Sequence, residues 1–277
     1  MSKPISYRPK LWFLFLVLAI CFNGTWTTNE FGYKPSLGAR GTTEKGYFDS
    51  GLDRIDTRLG KVVWVGDPKY GTTVQTALTA IGTTNPTVLR VPVGTWAITA
   101  DLPVPANVTL KPERGAILTI STTKTLTING PLEAGPYQIF SCAGSGKVLF
   151  GSGTVKEVYP EWWATNTTPG TTDMQPAIQA ALNSLPYGGK VQLCDSIYKL
   201  ETYYSAGPIN GHLIWPQVNG ISLVGVGTGA TTLRGKDHAV TEYGVIFIHA
   251  TSSAGIYYPR VADLTIRGAA NQAAVPG

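Results

Sequence analysis

From Lys61 onward the apolar residues of this chain fall in short β-branched runs, each closed by Gly, Pro or Asn. Val88-Leu89-Arg90-Val91, Val108-Thr109-Leu110, Leu126-Thr127-Ile128 and Val148-Leu149-Phe150 are four of them. Their centres lie about 18 to 22 residues apart, the length of one supersecondary unit. Such a unit cannot bury its own apolar face, so it must stack on copies of itself. A leucine-rich repeat has a similar period, but its Leu-x-x-Leu-x-Leu phrase and Asn ladder are missing. Coils of a parallel β-helix fit better, because each needs only short strands with alternate residues turned inward and corners that accept Gly, Asn and Thr.

Two stretches change period. Val74, Ala77, Leu78 and Ile81 fall at i, i+3, i+4 and i+7, and so do Ile178, Ala181, Leu182 and Leu185. Each predicts one amphipathic helix, the second with Asp173 as N-cap and Pro176 in its first turn. Each is followed by a turn, a strand and an aromatic: Val88–Val91 with Trp96, then Gly188–Leu193 with Tyr198. The chain therefore divides into 61–157 and 158–277, two halves built alike. Laid across the start of a stack, such a helix would cap the apolar end and the unpaired strand edge. The expected fold is all-β: a right-handed parallel β-helix with short N-terminal capping helices. Leu264-Thr265-Ile266 reads as one more strand with only Arg267–Gly277 behind it. No capping unit follows it, so the chain is expected to be truncated at its C-terminus.

The first 24 residues follow another rule. A basic stretch ending at Lys10 precedes the apolar run Leu11–Phe22, too short to span a bilayer comfortably and suited to a secretory signal. Cleavage after Ala19-Ile20-Cys21 or near Gly24 is expected; an uncleaved anchor or a lipid on Cys21 are the alternatives. Residues 25–60 sustain no period and read as a linker or extended arm. The location implied is secreted, periplasmic or cell-surface, with no membrane contact beyond the signal segment. Cys142 and Cys194 would remain, able to pair in an oxidising compartment but more simply two small core residues.

Composition agrees with many strands and turns: 14% charged residues, 32 Gly and 19 Pro. The net charge of +5 comes largely from the leader, where Lys3, Arg8 and Lys10 precede the first acidic residue, Glu30. No basic run remains, so nucleic acid is excluded as a partner.

Glu161-Trp162-Trp163-Ala164, Pro169-Gly170-Thr171-Thr172-Asp173, Ala177-Ile178-Gln179-Ala180-Ala181-Leu182 and Gly188-Gly189-Lys190-Val191-Gln192-Leu193 with Tyr198 resemble the N-terminal signature of the pectate lyase superfamily. The branch is the rhamnogalacturonase/epimerase-like one, which includes phage tailspikes. Leu223–Gly227, Thr232-Leu233 and Val261–Ile266 look like its next coils. The resemblance covers roughly 158–267 and is weaker over 61–155. The usual Pro-x-Gly-x-Tyr turn is replaced by Cys194-Asp195-Ser196-Ile197-Tyr198, and the acidic cluster before the helix is reduced to Asp173. The resemblance implies a polysaccharide lyase or glycoside hydrolase-like protein acting on an acidic polysaccharide, with Ca²⁺ allowed as a cofactor by the resemblance alone. The rival reading is a non-catalytic glycan-binding spike or stalk, for which a homotrimer is compatible.

No catalytic residue is assigned. Hydrolysis needs two carboxylates at a defined separation, and no such motif is visible. Asp237-His238 with Glu242 is the most chemical-looking group and reads as a solvated loop. Gly225-Val226-Gly227-Thr228-Gly229 imitates a dinucleotide fingerprint, but no helix-forming sequence follows. His212, His238 and His249 are isolated, so no metal site is expected. The carbohydrate-binding candidates are aromatic: Tyr257 and Tyr258 beside Arg260, and Trp215. Trp162-Trp163 and Tyr203-Tyr204 are weaker stacking platforms.

Overall fold

A computed structural model describes residues 61–202, 204–206, 209–236, 244–248 and 255–268. The leader, the arm before Lys61, Asp237, His238, Glu242 and the residues after Gly268 lie outside the described residues. The described part is all-β, with two α-helices among many short strands.

The strands are visited in rotation. β1 (Lys61–Trp64), β2 (Thr87–Val91) and β5 (Val108–Pro112) form one parallel sheet. The second consists of β3 (Gly94–Ile98), β6 (Ala116–Ile120) and β8 (Phe140–Cys142), and the third of β4 (Leu102–Val104), β7 (Thr125–Ile128) and β9 (Lys147–Phe150). The order recurs in the later half. There β10 (Gly189–Gln192), β14 (Ile221–Val224) and β17 (Arg260–Ala262) pair, as do β11 (Ser196–Leu200), β15 (Thr231–Gly235) and β18 (Thr265–Arg267). The last sheet, β12 (Tyr204–Ala206), β13 (Ile209–Ile214) and β16 (Gly244–Phe247), contains the antiparallel pair β12–β13.

Identical register keeps apolar residues over one another. Leu89 sits on Leu110, Leu118 lies between Trp96 and Phe140, and Leu126 lies between Leu102 and Val148. The four apolar runs are therefore not one column. The first two stack in one sheet and the last two in another, and the step between the pairs goes around the circuit instead of along it. The repeat is one full circuit, as from Leu118 to Phe140. At the corners backbones nearly touch: a Cβ on Gly130 would lie 2.0 Å from the Val108 carbonyl oxygen.

The halves are continuous. Ile139 N–H donates to Trp162 O (3.0 Å), Phe150 N–H to Ser184 O (2.9 Å), and Val158 bridges Val191 in parallel. Phe140, Phe150, Trp162 and Trp163 fill the junction, with ring centroids 5.3–6.4 Å apart across Phe140–Trp163, Phe150–Trp162 and Phe140–Trp162.

Helix α1 (Val74–Ile81) starts in a capping box in which Thr73 and Thr76 exchange side-chain bonds to backbone, and it buries Val74, Ala77 and Leu78. Helix α2 (Gln175–Asn183) departs from expectation twice. Its N-cap is Met174, not Asp173, whose Oδ1 accepts from Gln175 N–H (3.0 Å) from one position further out. Nor does it cap an end. Phe150 of β9 bonds to the turn just after it, while its buried Gln175 donates to His212 O at 2.7 Å. Gln179 takes both backbone groups of Ile214, donating to the carbonyl and accepting from the N–H, each at 2.8 Å. The helix thus stands where a strand would stand between β9 and β13, and its glutamine amides supply the missing edge bonds.

Candidate functional site

The parallel register of β11, β15 and β18 does more than stack the core. Tyr198 and Leu233 are buried in line, and the neighbouring positions Lys199, Arg234 and Arg267 also pair directly, one per strand. Adjacent strands lie about 4.8 Å apart, so three cations follow one another at that spacing. At the first two, a shallow cavity of about 260 Å³ opens, lined by Gly170, Lys199, Arg234, Gly235 and Lys236. None of these residues is a carboxylate.

Asp173 holds the edge of this cavity. It bridges Lys199 in parallel, and Met174 N–H donates to Lys199 O at 2.9 Å. Its carboxylate accepts from Glu201 N–H (2.9 Å) and from the N–H and hydroxyl of Thr202 (3.2 and 2.9 Å). Glu201 in turn spans Lys199 (2.9 Å) and Lys236 (3.1 Å), and the bond from Lys199 leads in holding its carboxyl below the usual range. Chemically the face can neutralise and position anionic groups, Lys as a point charge and Arg in bidentate fashion.

A second polar cluster is internal. Tyr198 donates to Glu161 Oε1 at 2.5 Å and accepts from Cys194 N–H at 2.8 Å. Thr231 donates to Cys194 O (2.9 Å) and accepts from Val226 N–H (3.0 Å), so the turn that imitates a nucleotide fingerprint is a corner between two strands. Glu161 is 9% exposed, and its Oε2 has no partner. Burial pushes its carboxyl upward, and burial together with Glu161 pushes the Tyr198 phenol up. Burial likewise takes the Cys194 thiol up to about 11, which leaves it a poor nucleophile at neutral pH. Cys142 and Cys194 are both free and half-buried.

The aromatic candidates part company. Trp215 is 1% exposed and offers no face to a sugar; its position between Ile214 and Pro216 in sequence concealed that. Trp162 and Trp163 are also core. Tyr257 and Tyr258 are exposed, their ring centroids 6.4 Å apart, and Arg260 is exposed with Asp263 at 3.7 Å. Arg260 opens β17 and the two tyrosines lie in the turn just before it, so none is in the sheet of the cation ladder. His212 is buried with Nδ1 3.0 Å from Thr202 O. The cations were missed because nothing in the sequence marks residues 35 and 33 positions apart as neighbours; only strand register joins them.

Among the described residues no group of three His, Cys, Asp or Glu converges on a point. A Ca²⁺ ion requires an oxygen-donor set. The cavity lining is cationic instead and does not fit one. No helix of the described residues is long and apolar enough to cross a membrane. Compared with protein-family models, with curated proteins and with solved structures, the chain has no significant match.

Proposed function

We propose that the chain is an exported right-handed parallel β-helix protein of the pectate lyase superfamily type, and that it holds an acidic polysaccharide against the ladder Lys199–Arg234–Arg267. That ladder, three cations in direct register beside a cavity, is the observation that carries the reading. Glu201 already balances Lys199 and Lys236, so what the ladder offers an acidic polymer is a row of positioned cationic donors. The fold assignment draws support from strands that visit three sheets in rotation and from the quoted signature residues.

Binding is placed ahead of cleavage because a hydrolase needs two carboxylates flanking the scissile bond. The two acids beside the cavity are both engaged, Asp173 by Glu201 N–H and Thr202 and Glu201 by Lys199 and Lys236. The spike- or stalk-like role, including a homotrimer, goes with this reading.

The test is affinity electrophoresis of the full chain through gels containing polygalacturonate or neutral dextran. Retardation by polygalacturonate alone, strong at about 0.01 M salt and lost near 1 M, is expected. Lys199→Gln with Arg234→Gln should remove it. Equal retardation by dextran, or an unaltered double variant, refutes the assignment. Release of unsaturated uronates by the same protein would restore the lyase reading.

A further inference from the structure

We infer a second glycan-binding surface, an aromatic corner formed by Tyr187, Tyr257 and Tyr258, that takes the apolar ring faces of an uncharged polysaccharide. It shares the fold with the acidic-polymer reading but none of its residues.

The corner precedes β10, β14 and β17 on three successive circuits. Gly189 pairs with Ile221 and Ser222 with Arg260, which places Tyr187 level with Asn219, and Asn219 level with Tyr257. Backbone bonds tie the same three turns: Gly189 N–H donates to Gly220 O (3.2 Å), and Gly220 N–H to Tyr257 O (2.9 Å). Asn219 Oδ1 accepts from Tyr257 N–H at 2.8 Å. Closeness is enforced, since a Cβ on Gly188, where φ is +81°, would lie 2.6 Å from Asn219 O. Tyr187 and the Tyr257–Tyr258 pair are therefore about two strand spacings, or about 9.5 Å, apart along the stack. That is close to the reach of a disaccharide.

All three rings face solvent, Tyr187 at 72%, Tyr257 at 55% and Tyr258 at 84% exposed. Tyr258 sits at φ +61°, a left-handed conformation that disfavours a bulky side chain. The chain thus bears a backbone cost to hold an aromatic ring in water. Between the tyrosines lie Asn219 and Gly220, both exposed, so the surface alternates ring faces with hydrogen-bonding groups. A protein interface would have a continuous apolar centre. Interrupted rings with polar gaps suit a sugar chain, whose pyranose faces are apolar and whose edges carry hydroxyls. The neighbouring charges, Arg260 and Asp263, offset one another and add no preference for an anion.

The full chain is to be run through gels containing hydroxyethylcellulose. Retardation that persists at high salt is expected, weakened about tenfold by Tyr187→Ala and by Tyr258→Gly, as loss of one stacked ring implies. Tyr258→Gly also removes the backbone cost, so it should bind less while melting no lower than the parent. The double variant Lys199→Gln, Arg234→Gln should bind hydroxyethylcellulose as the parent does. Absent retardation, retardation untouched by the tyrosine changes, or joint loss in the ladder variant would each overturn the inference. So would a tyrosine change that alters the sedimentation of the protein and not its migration in the glycan gel.

Discussion

Glu161 has one oxygen bonded to Tyr198 and the other enclosed without a partner, a position in which the neutral acid is cheaper than the carboxylate. An unfolded glutamate titrates near about pH 4.3, whereas burial raises this one in the folded chain. The folded state therefore keeps a proton that the unfolded state has released. Its contribution to stability is complete below about pH 4.3 and is lost as pH rises through the folded value. Glu157, lowered by its bond to Lys190, pulls the other way, so a variant isolates the effect better than the raw profile. Glu161→Gln should match the parent in urea unfolding near about pH 4 and exceed it near about pH 8. A constant difference between the two would remove Glu161 as the source. A steric prediction is independent: Gly130→Ala forces a Cβ against the Val108 carbonyl and should cost about 1–3 kcal/mol, read as a lower urea midpoint. At this scale the sequence was only half legible. Tyr257, Tyr258 and Trp215 are all aromatics near Pro or Gly, yet two are exposed and the third is core. Which way a side chain turns depends on strand register, which is set by residues a full circuit away.

The helices were legible because a 3.6-residue period needs no distant partner, and Val74, Ala77 and Leu78 are buried as their spacing implies. What periodicity could not reveal is that the polar positions of α2 are used as well. Gln175 and Gln179 fall between its apolar residues and would be placed in solvent by pattern alone, but both are buried against β13. Asp173 shows the same limit: its composition fits an N-cap, and three of its four bonds go to residues 201 and 202. Gln179→Ala leaves both backbone groups of Ile214 without their partner. We expect a loss of about 2–4 kcal/mol, with hydrogen exchange at the Ile214 amide accelerated well before global unfolding. Unchanged protection at Ile214 would mean that water replaces the amide.

Among the described residues, every strand pairing except the β12–β13 hairpin joins parallel strands of one three-stranded set, so damage should stay local. Leu118→Ala, a cavity between Trp96 and Phe140, should cost about 2–5 kcal/mol. Its effect on hydrogen exchange should fade within β3 and β8 and spare β14 and β15; uniform loss of protection would show that the stack melts as one. The strands were legible in the first half, where partners in one sheet lie at nearly equal separations, as from Trp96 to Leu118 to Phe140, although the four apolar runs belong to two sheets. The pairing was hidden in the second half, where Tyr198 reaches Leu233 only after 35 residues, and the cation ladder was hidden with it. The change in circuit length occurs across α2. A helix transmits no two-residue alternation from the strand below it to the strand above, so on that side of the stack the two halves need not agree in phase. On that side an inserted or deleted residue in one half would not invert the inward and outward faces of the other, whereas at Val158–Val191 it would.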